Sequence, residues 1–409
     1  MDVEVAQWLV TPDAAPWLER AMGEADPTSL GAAERLRRGL DPARAAAVLD
    51  QAALRRRARA KLGEWADTFF LTHDGLEMAT RADVARWRAA RLVDAGVTAV
   101  ADLGCGLGAD ARAFVEAGLD VTAVDRDPVT AVLAAANLGR PVECAEVAGE
   151  ALAARDTAAL FLDPSRRTDA GRTWDLAKLS PPWSHIRALL ERDPGSTPPV
   201  VVKLGPGMAH RDIPAGVAAT WVSHHGDLVE LTLWGGATVS GPLAVARRPR
   251  SVATVPDPVA PSPGRWEAVL LPEGHVVAAG PPTPPPGPLG RFLWEPDPAV
   301  IRATATGAVA AQLGAHPVAA RLAYLTGDDD ATTPFAQRFA IREVLPYDDA
   351  AVRAWAKANG VGALEIKTRG LGLDPARWRR RLRLKGRRAA TVIVTPSLAG
   401  SVTLVVDRG

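Results

Sequence analysis

A glycine-rich turn between two apolar segments is the feature that most constrains what this chain can fold into. Residues 98–103 form a short apolar run, 109–117 have the composition of a helix, and 120–124 form a second apolar run that ends at Asp125. Glycine occupies alternate positions of the first turn, at Gly104, Gly106 and Gly108. Because glycine permits tight turns and close approach of a ligand, the pattern predicts a β-α-β unit with a ligand site at that turn.

The acid at the end of the second run narrows the class of ligand. A carboxylate at the position of Asp125 can accept hydrogen bonds from both hydroxyls of a ribose, which favours a ligand that contains adenosine. Sites for dinucleotides such as NAD have the spacing GxGxxG, whereas residues 104–108 read GxGxG. An NAD site, and glycines that serve only packing, are the alternatives.

The stretch Asp102-Leu103-Gly104-Cys105-Gly106-Leu107-Gly108 closely resembles the first motif of the class I S-adenosylmethionine-dependent methyltransferases, and residues 121–125 resemble their second motif. The resemblance implies S-adenosylmethionine as cofactor and an α/β fold with a seven-stranded, mostly parallel, Rossmann-like sheet. It also implies that Gly104 and Gly106 pass beside the methionine part of the cofactor and that Asp125 holds the ribose. The other predicted cofactor residues lie in or after these motifs: Asp102, Cys105, Gly108, Arg126 and, near the expected adenine, Glu146.

Strand-like and helix-like segments alternate after this unit. Residues 141–147, 158–163 and 200–204 are predicted as the third, fourth and fifth strands, and 217–234 as an antiparallel hairpin. In folds of this class, ligands meet the carboxyl ends of the parallel strands. We therefore expect the methyl acceptor to bind at the end of the fourth strand.

Asp163 and Pro164 stand at that end and are the predicted catalytic residues. They resemble the start of the motif of amino-group methyltransferases, in which an acid or amide accepts a hydrogen bond from the target –NH₂. A serine followed by Arg166 and Arg167 replaces the rest of that motif, and these arginines either bind substrate phosphate or are ordinary surface charge. A similar stretch occurs in the RNA uracil-5 methyltransferases, but their mechanism needs a later cysteine and none follows Cys144.

Trp183 is a second candidate for the missing aromatic residue, because residues 180–183 read Ser-Pro-Pro-Trp. This stretch matches the SPPW form of the amino-methylation motif, which predicts that Trp183 binds the substrate. Ser-Pro-Pro is also a good start for a helix, and the preceding residues do not form a strand pattern. Both interpretations are compatible if the start of the helix places Trp183 over the substrate site.

Composition excludes several other classes of protein. The chain has 409 residues, 47% hydrophobic and 23% charged, with a net charge of +1, so any surface for nucleic acid must be local. Cys105 and Cys144 have no metal-binding spacing, and no metal is predicted. The first residues carry acids where a secretory signal is basic, and no apolar run reaches membrane-spanning length, which predicts a cytoplasmic protein without a membrane partner.

Residues 1 to about 68 are rich in Ala, Leu, Arg and Glu and predict three or four short helices, with Asp41-Pro42 as a good helix start. A basic cluster at 55–61 is either a solvated helix face or a surface that contacts phosphate.

Residues 71–80 are polar and rich in turn formers, and Thr80 is predicted to cap a helix at 81–94. The segment resembles an element that closes over the cofactor in trimethylguanosine-synthase-like RNA methyltransferases. This resemblance makes Glu77 and Thr80 candidates for a lid or for the edge of the substrate site.

Residues 345–409 are predicted to form a compact α/β unit with a high density of positive charge. Ten lysines and arginines and one acid lie between residues 366 and 388, around Trp378. This basic stripe predicts binding of a phosphate backbone, and a solvated helix face is the alternative. The predicted RNA contacts are Arg379, Arg380 and Arg383.

This end of the chain resembles the THUMP-like C-terminal domain of bacterial methyltransferases, and the resemblance covers most of the chain from about residue 60. It implies RNA as the substrate class. The predicted regions are an N-terminal helical region at 1–95, a methyltransferase domain at 96–250, proline-rich linkers and an extension packing on the core at 251–344, and a THUMP-like basic α/β domain at 345–409.

The predicted function is therefore methylation of RNA with S-adenosylmethionine, with a base amino group as the favoured acceptor. An RNA-binding protein with a catalytically silent methyltransferase fold is the alternative, because the motif after the fourth strand is altered. A small-molecule methyltransferase would leave the basic C-terminal unit without a role.

Overall fold

The protein is described by a computed structural model that covers residues 1–146, 159–166, 176–192, 199–235 and 265–408. The chain divides into two compact units, Met1–Ala219 with Glu230–Arg265 and Thr220–Val229 with Trp266–Gly409. The division into four regions stays a prediction, and the predicted proline-rich linker at 254–264 lies outside the described residues.

The first unit begins with helices joined by short turns. They are α1 (Val3–Leu9), α2 (Ala15–Met22), α3 (Leu30–Leu36), α4 (Pro42–Leu62), α5 (His73–Met78) and α6 (Ala82–Asp94), with 3-10 turns at Pro12–Ala14 and Gly63–Asp67. Asp41 caps α4 as predicted, since its carboxylate accepts hydrogen bonds from the backbone N–H groups of Ala43 and Arg44.

One prediction about the segment before the glycine turn was wrong. Within residues 71–80, the hydroxyl of Thr72 caps the short helix α5. Thr80 does not cap α6, whose first turn has no side-chain cap, since its own hydroxyl donates a hydrogen bond to Asp110.

The larger sheet is mixed and has nine strands in the order β11-β10-β8-β9-β7-β4-β1-β2-β3. The strands between residues 99 and 278 are β1 (Ala99–Leu103), β2 (Asp120–Asp125), β3 (Val142–Cys144), β4 (Ala159–Leu162), β5 (Ser165–Arg166), β6 (Leu179–Ser180), β7 (Val200–Leu204), β8 (Ala218–His224), β9 (Asp227–Gly235), β10 (Trp266–Leu271) and β11 (His275–Ala278). Strands β5 and β6 form a separate two-stranded sheet.

The predicted parallel core is confirmed, whereas the predicted number of seven strands was wrong. Strands β3, β2, β1, β4 and β7 run parallel, and β9 is antiparallel to β7. The hairpin β10–β11 lengthens the sheet because β10 lies beside β8. Parallel strands are covered on both faces, which explains why β4 and β7 are apolar runs.

Three helices follow the strands of the parallel core: α7 (Ala109–Glu116), α8 (Pro128–Leu138) and α9 (Trp183–Leu190). Phe114 of α7 packs edge-to-face on Phe161 of β4, with ring centroids 5.4 Å apart. Both side chains belong to a core that also includes residues of the N-terminal helices, such as Leu49 and Leu54. The N-terminal helices therefore pack as part of the methyltransferase-like body.

The second unit contains a seven-stranded sheet in the order β13-β14-β12-β15-β18-β17-β16. Its strands are β12 (Phe292–Pro296), β13 (His316–Pro317), β14 (Leu325–Gly327), β15 (Ala336–Pro346), β16 (Val361–Thr368), β17 (Arg388–Ser397) and β18 (Gly400–Arg408). Its helices are α10 (Pro298–Arg302), α11 (Thr306–Leu313), α12 (Asp349–Ala358) and α13 (Pro375–Leu382). The predicted order of elements in 345–409 is confirmed, and β15 is a strand that the sequence did not predict.

Candidate functional site

The glycine turn after β1 has the conformation that only glycine adopts readily. Gly104, Gly106 and Gly108 have φ values of 92°, 54° and 83°, in the left-handed region. The N–H groups of Gly104 and Cys105 donate hydrogen bonds of 2.8 and 2.9 Å to the carbonyl of Val124. A Cβ on Gly106 would meet no atom within 4 Å, so the turn borders open space. The glycines therefore shape a concave backbone surface beside the ends of β1 and β2.

Asp125 joins this turn to the end of β2. Its carboxylate accepts hydrogen bonds from the N–H groups of Gly106 and Asp127, each 2.9 Å long. Burial raises the pKa of Asp125, and these two N–H groups act in the opposite direction. The neighbouring Arg126 and the later Glu146 are both exposed. The structure thus brings Asp125 to the glycine turn, as predicted.

Asp102 lies below the turn and is fully buried. Within the described part of the chain, neither of its carboxylate oxygens has a hydrogen-bond partner. Burial, with the charges of Asp110 and Asp163, raises the pKa of Asp102 well above its ordinary value. A buried carboxylate without a partner fits a ligand that carries positive charge, as S-adenosylmethionine does at its sulfonium and ammonium groups. The residues of the turn therefore fit this cofactor.

Replacing Asp125 by alanine is expected to weaken the binding of S-adenosylmethionine about tenfold or more. Hydrogen bonds to a charged group contribute roughly 1.5–3 kcal/mol, and the alanine variant can make none to the ribose. Isothermal titration calorimetry measures the change, with Asp127→Asn as the control because Asp127 caps α8 from an exposed position. Unchanged affinity in a folded alanine variant would remove Asp125 from the cofactor site.

Replacing Asp102 by asparagine is expected to raise the thermal stability of the cofactor-free protein, and more so at higher pH. The pKa of Asp102 is higher in the folded than in the unfolded protein. The wild type therefore loses stability as pH rises from about 4 through that raised pKa, whereas asparagine does not titrate. Thermal unfolding at about pH 5 and about pH 8 should show a difference in Tm that grows with pH, by roughly 2–4 °C per kcal/mol. A difference independent of pH would contradict the raised pKa.

The end of β4 carries an ion pair that the sequence did not predict. The ammonium of Lys203, on β7, lies 2.5 Å from the carboxylate of Asp163. The Lys203 side chain is 13% exposed and that of Asp163 is 34% exposed. Burial opposes the charge on Lys203, but Asp163 and other carboxylates outweigh it and raise its pKa. A lysine inside the apolar run 200–204 was the signal that could have identified this residue.

The predicted substrate residues near Asp163 are placed only in part. Arg167 and the side chain of Arg166 lie outside the described residues. The pairing of β5 with β6 sets Ser180 opposite Ser165, and α9 starts at Trp183. The predicted helix start is therefore confirmed, and the Ser-Pro-Pro-Trp stretch begins beside the segment that follows Asp163.

Arg88 links several elements beneath the glycine turn, and the sequence did not predict this role. Its fully buried guanidinium forms ion pairs with Asp110 of α7 and Glu230 of β9. Thr80 donates its hydroxyl to the same Asp110. Three elements that are distant in sequence thus meet at one cation, which stabilises the body beneath the turn.

Side chains of the basic cluster at 55–61 bind groups of the same unit. Arg55 donates to the carbonyls of residues 68 and 69, and Arg56 to those of residues 22, 24 and 25. Arg59 pairs with Asp67. These contacts tie α4 to the segments around it.

In the basic stripe of the second unit, some side chains form hydrogen bonds or ion pairs and others do not. Arg379 donates a 2.8 Å hydrogen bond to the carbonyl of Leu364, and Arg381 binds the carboxylate of Asp349. Trp378 is 1% exposed and also donates to Asp349, so it is a core residue and does not stack on a substrate. Among the described residues of the stripe, five exposed cations have no side-chain hydrogen bond or ion pair: Arg377, Arg380, Arg383, Lys385 and Arg387.

Lys367 and Arg369 of the stripe line a cavity of about 710 Å³ inside the second unit. Lys367 and Arg369 both pair with Glu295, at 2.5 and 3.6 Å. Both of these cations at the cavity are therefore already paired with a carboxylate. The exposed free cations lie elsewhere, on α13 and in the loop that follows it.

Two searches of the described residues gave negative findings. No group of three or more His, Cys, Asp or Glu side chains there could hold a metal ion. No described helix is both long enough and apolar enough to cross a membrane.

Comparisons with known proteins identify the family. A family profile described as THUMP domain-like matches residues 336–408, and one described as a domain of unknown function (DUF8688) matches residues 2–58. Uncharacterised S-adenosylmethionine-dependent methyltransferases from two strains of Mycobacterium tuberculosis are each 31% identical over 375 residues, covering 88% of this chain and 96% of theirs.

A candidate methyltransferase of Porphyromonas gingivalis W83 shares the fold, with a TM-score of 0.69 and 21% identity over 91% of this chain and 92% of that chain. The glycine turn, Asp125 and the parallel core agree with these relationships. The chain therefore belongs to the S-adenosylmethionine-dependent methyltransferases, uses S-adenosylmethionine as its cofactor and carries a THUMP-like domain in its C-terminal part.

Proposed function

We propose that this protein methylates RNA, with a base amino group as the methyl acceptor. The observation that carries the proposal is a surface of five exposed cations without partners in a domain of THUMP-like type, in the same chain as a cofactor site. Cations of this kind bind phosphates, and phosphate contacts dominate the affinity of proteins for nucleic acids. We propose Arg380 and Arg383 as RNA contacts, and Arg379 as a residue that mainly anchors α13.

The cofactor supplies an activated methyl group at its sulfonium. In the proposal, the glycine turn and Asp102 hold its methionine part, Asp125 its ribose, and Glu146 the adenine edge. Cys105 contributes backbone to the turn, and its thiol stays protonated because burial raises its pKa. Arg126 lies at the exposed rim of this site.

Asp163 is the proposed acceptor of a hydrogen bond from the target amino group, and Pro164 stiffens the turn after it. One carboxylate oxygen of Asp163 is bound by Lys203, and a carboxylate has a second oxygen for a substrate. Lys203 thereby orients Asp163 and acts against the burial that raises the pKa of this carboxyl group. Arg166, Arg167 and Trp183 follow in the chain and are proposed to bind the substrate around this point.

The alternative is an RNA-binding protein without catalysis, since the residues after Pro164 depart from the amino-methylation motif. The test is mass spectrometry of nucleosides from RNA of wild-type and deletion cells, followed by methylation of the deletion-strain RNA in vitro. We expect one methylated nucleoside to be missing from the deletion strain and to be restored by the purified protein. RNA binding without any methylated product would favour the alternative.

A further inference from the structure

Two buried amide side chains hold the segment at residues 69–72, which leads into α5 and belongs to neither a helix nor a strand. Gln51 of α4 donates to the carbonyl of Leu71 at 2.6 Å and accepts a hydrogen bond from its N–H at 2.8 Å. Asn137 of α8 does the same for Phe70, at 3.0 and 2.7 Å. This connecting segment is therefore fixed between α4 and α8.

Asn137 also reaches the glycine turn. Its amide nitrogen donates a second hydrogen bond, to the carbonyl of Leu107, 2.9 Å away. An asparagine side chain has two N–H donors, so both are used, and its oxygen accepts the N–H of Phe70. One side chain thus ties the connecting segment to the turn between β1 and α7.

The peptide between Leu107 and Gly108 is packed as well as hydrogen-bonded. A Cβ on Gly108 would meet the side chain of Leu138, the residue after Asn137, at 3.2 Å. A Cβ on Gly75 of α5 would overlap the side chain of Leu107, which is 3% exposed. The hydrogen bond from Asn137 to Leu107 is itself buried, so a carbonyl left without it would lose free energy.

The turn needs such contacts because glycine does not fix its own backbone. Three of the five residues 104–108 are glycine, which adopts many backbone conformations when nothing restrains it. On one side the restraints are the carbonyl of Val124 and the carboxylate of Asp125, which accept N–H groups of the turn. On the other side Asn137 donates to Leu107. The shape that the turn presents is therefore held from both sides.

We infer that Asn137 is a positioning residue for the cofactor, which it serves by holding the glycine turn in its binding conformation. The inference rests on the cofactor placement given under the proposed function and does not depend on RNA as the substrate. Asn137 contacts the backbone of the turn through Leu107. Its effect on the cofactor is therefore an effect on affinity, transmitted by the turn.

The first test compares Asn137→Asp with Gln51→Glu by isothermal titration calorimetry with S-adenosylmethionine. Each change replaces a buried amide donor by a carboxylate oxygen that cannot donate when ionised. Among the described residues, the hydrogen bonds of Gln51 go to Leu71 alone, so this variant disturbs the connecting segment without touching the turn. One buried hydrogen bond corresponds to roughly a tenfold change in an equilibrium constant. We expect Asn137→Asp to weaken cofactor binding about tenfold and Gln51→Glu less than about twofold on the same scale.

The possible outcomes separate the inference from the cofactor placement. Equal losses in the two variants would show that Asn137 acts only by stabilising the connecting segment, which would overturn the inference. Weaker binding by Asp125→Ala together with unchanged binding by Asn137→Asp would overturn it as well. Unchanged binding by both would instead remove the cofactor from this turn.

A second ligand controls for the charge of the new carboxylate. S-adenosylhomocysteine lacks the positive charge on sulfur, and it should lose affinity for Asn137→Asp by the same factor as S-adenosylmethionine. A different factor would assign the effect to charge and overturn the inference. If a buried carboxylate prevents folding, the alanine variants at the two positions form the second matched pair, with the same expected order of affinities.

Hydrogen exchange of the cofactor-free protein gives a readout without any ligand. The N–H groups of Gly104, Cys105 and Gly106 form hydrogen bonds with residues at the end of β2, so a loosened turn exchanges faster. The peptide that covers residues 104–108 should exchange faster in Asn137→Asp than in the wild type and at the wild-type rate in Gln51→Glu. Unchanged exchange of this peptide in Asn137→Asp would overturn the inference.

Discussion

Asp163→Ala is expected to reduce methyl transfer by at least about 100-fold, with cofactor affinity close to that of the wild type. The alanine variant cannot orient the acceptor, and a misplaced reacting group costs about that factor. Asp163→Asn should keep part of the turnover, because its amide oxygen can still accept hydrogen bonds from the substrate and from Lys203. Both variants are assayed on RNA from a deletion strain with labelled cofactor. Full activity of the alanine variant would exclude Asp163 from the mechanism.

The ion pair with Lys203 makes a stability control necessary. Removing one partner of a buried pair can cost about 3–5 kcal/mol, and the cost here should be smaller because Asp163 is 34% exposed. The double variant Asp163→Ala/Lys203→Met removes both charges and should recover stability in thermal unfolding without recovering activity. Recovery of activity in the double variant would show that the single change acts only through a stranded Lys203.

Replacing Arg380, Arg383 and Arg387 together by glutamine is expected to weaken RNA binding about 100-fold at moderate salt. Each lost phosphate contact should flatten the slope of log affinity against log salt by about 0.7–0.9, so the triple change should lower it by about 2–3. Filter binding or fluorescence anisotropy over a series of salt concentrations measures the slope. Cofactor affinity should not change.

The matched control removes the same charge from arginines that already have partners. Arg342, Arg381 and Arg408 pair with Asp407, Asp349 and Glu365, respectively. Exposed pairs of this kind contribute little to stability, so the control triple variant should fold and should bind RNA far better than the first. Equal losses in the two variants would show that net charge, and not the free cations, determines binding.

The sequence was sufficient where local chemistry determines structure. The left-handed turn at Gly104, Gly106 and Gly108 needs glycine whatever surrounds it, so the β-α-β unit was readable from residue types alone. The cap at Asp41 was readable for the same reason, because its carboxylate satisfies N–H groups within its own helix turn.

Tertiary structure decided which charged residues are available. The sequence presents residues 366–388 as one basic stripe, but Arg381 is engaged by Asp349 of another helix, whereas the side chains of Arg380 and Arg383 are free. Trp378, which lies among these cations in the sequence, is buried in the core. An ion pair depends on distance in space, which residue spacing along the chain does not encode.

Distance in space also decides which charged residues surround the proposed catalytic region. Residue types placed Asp102, Asp125 and Asp163 at strand ends, because strand ends are visible as limits of apolar runs. Only the packing of β7 and β9 brought Lys203 and Glu230 into that region, from positions far apart in the chain. By itself the sequence determined the type of cofactor site, and the fold decided which side chains surround it, since burial and neighbouring charges arise only when distant segments pack together.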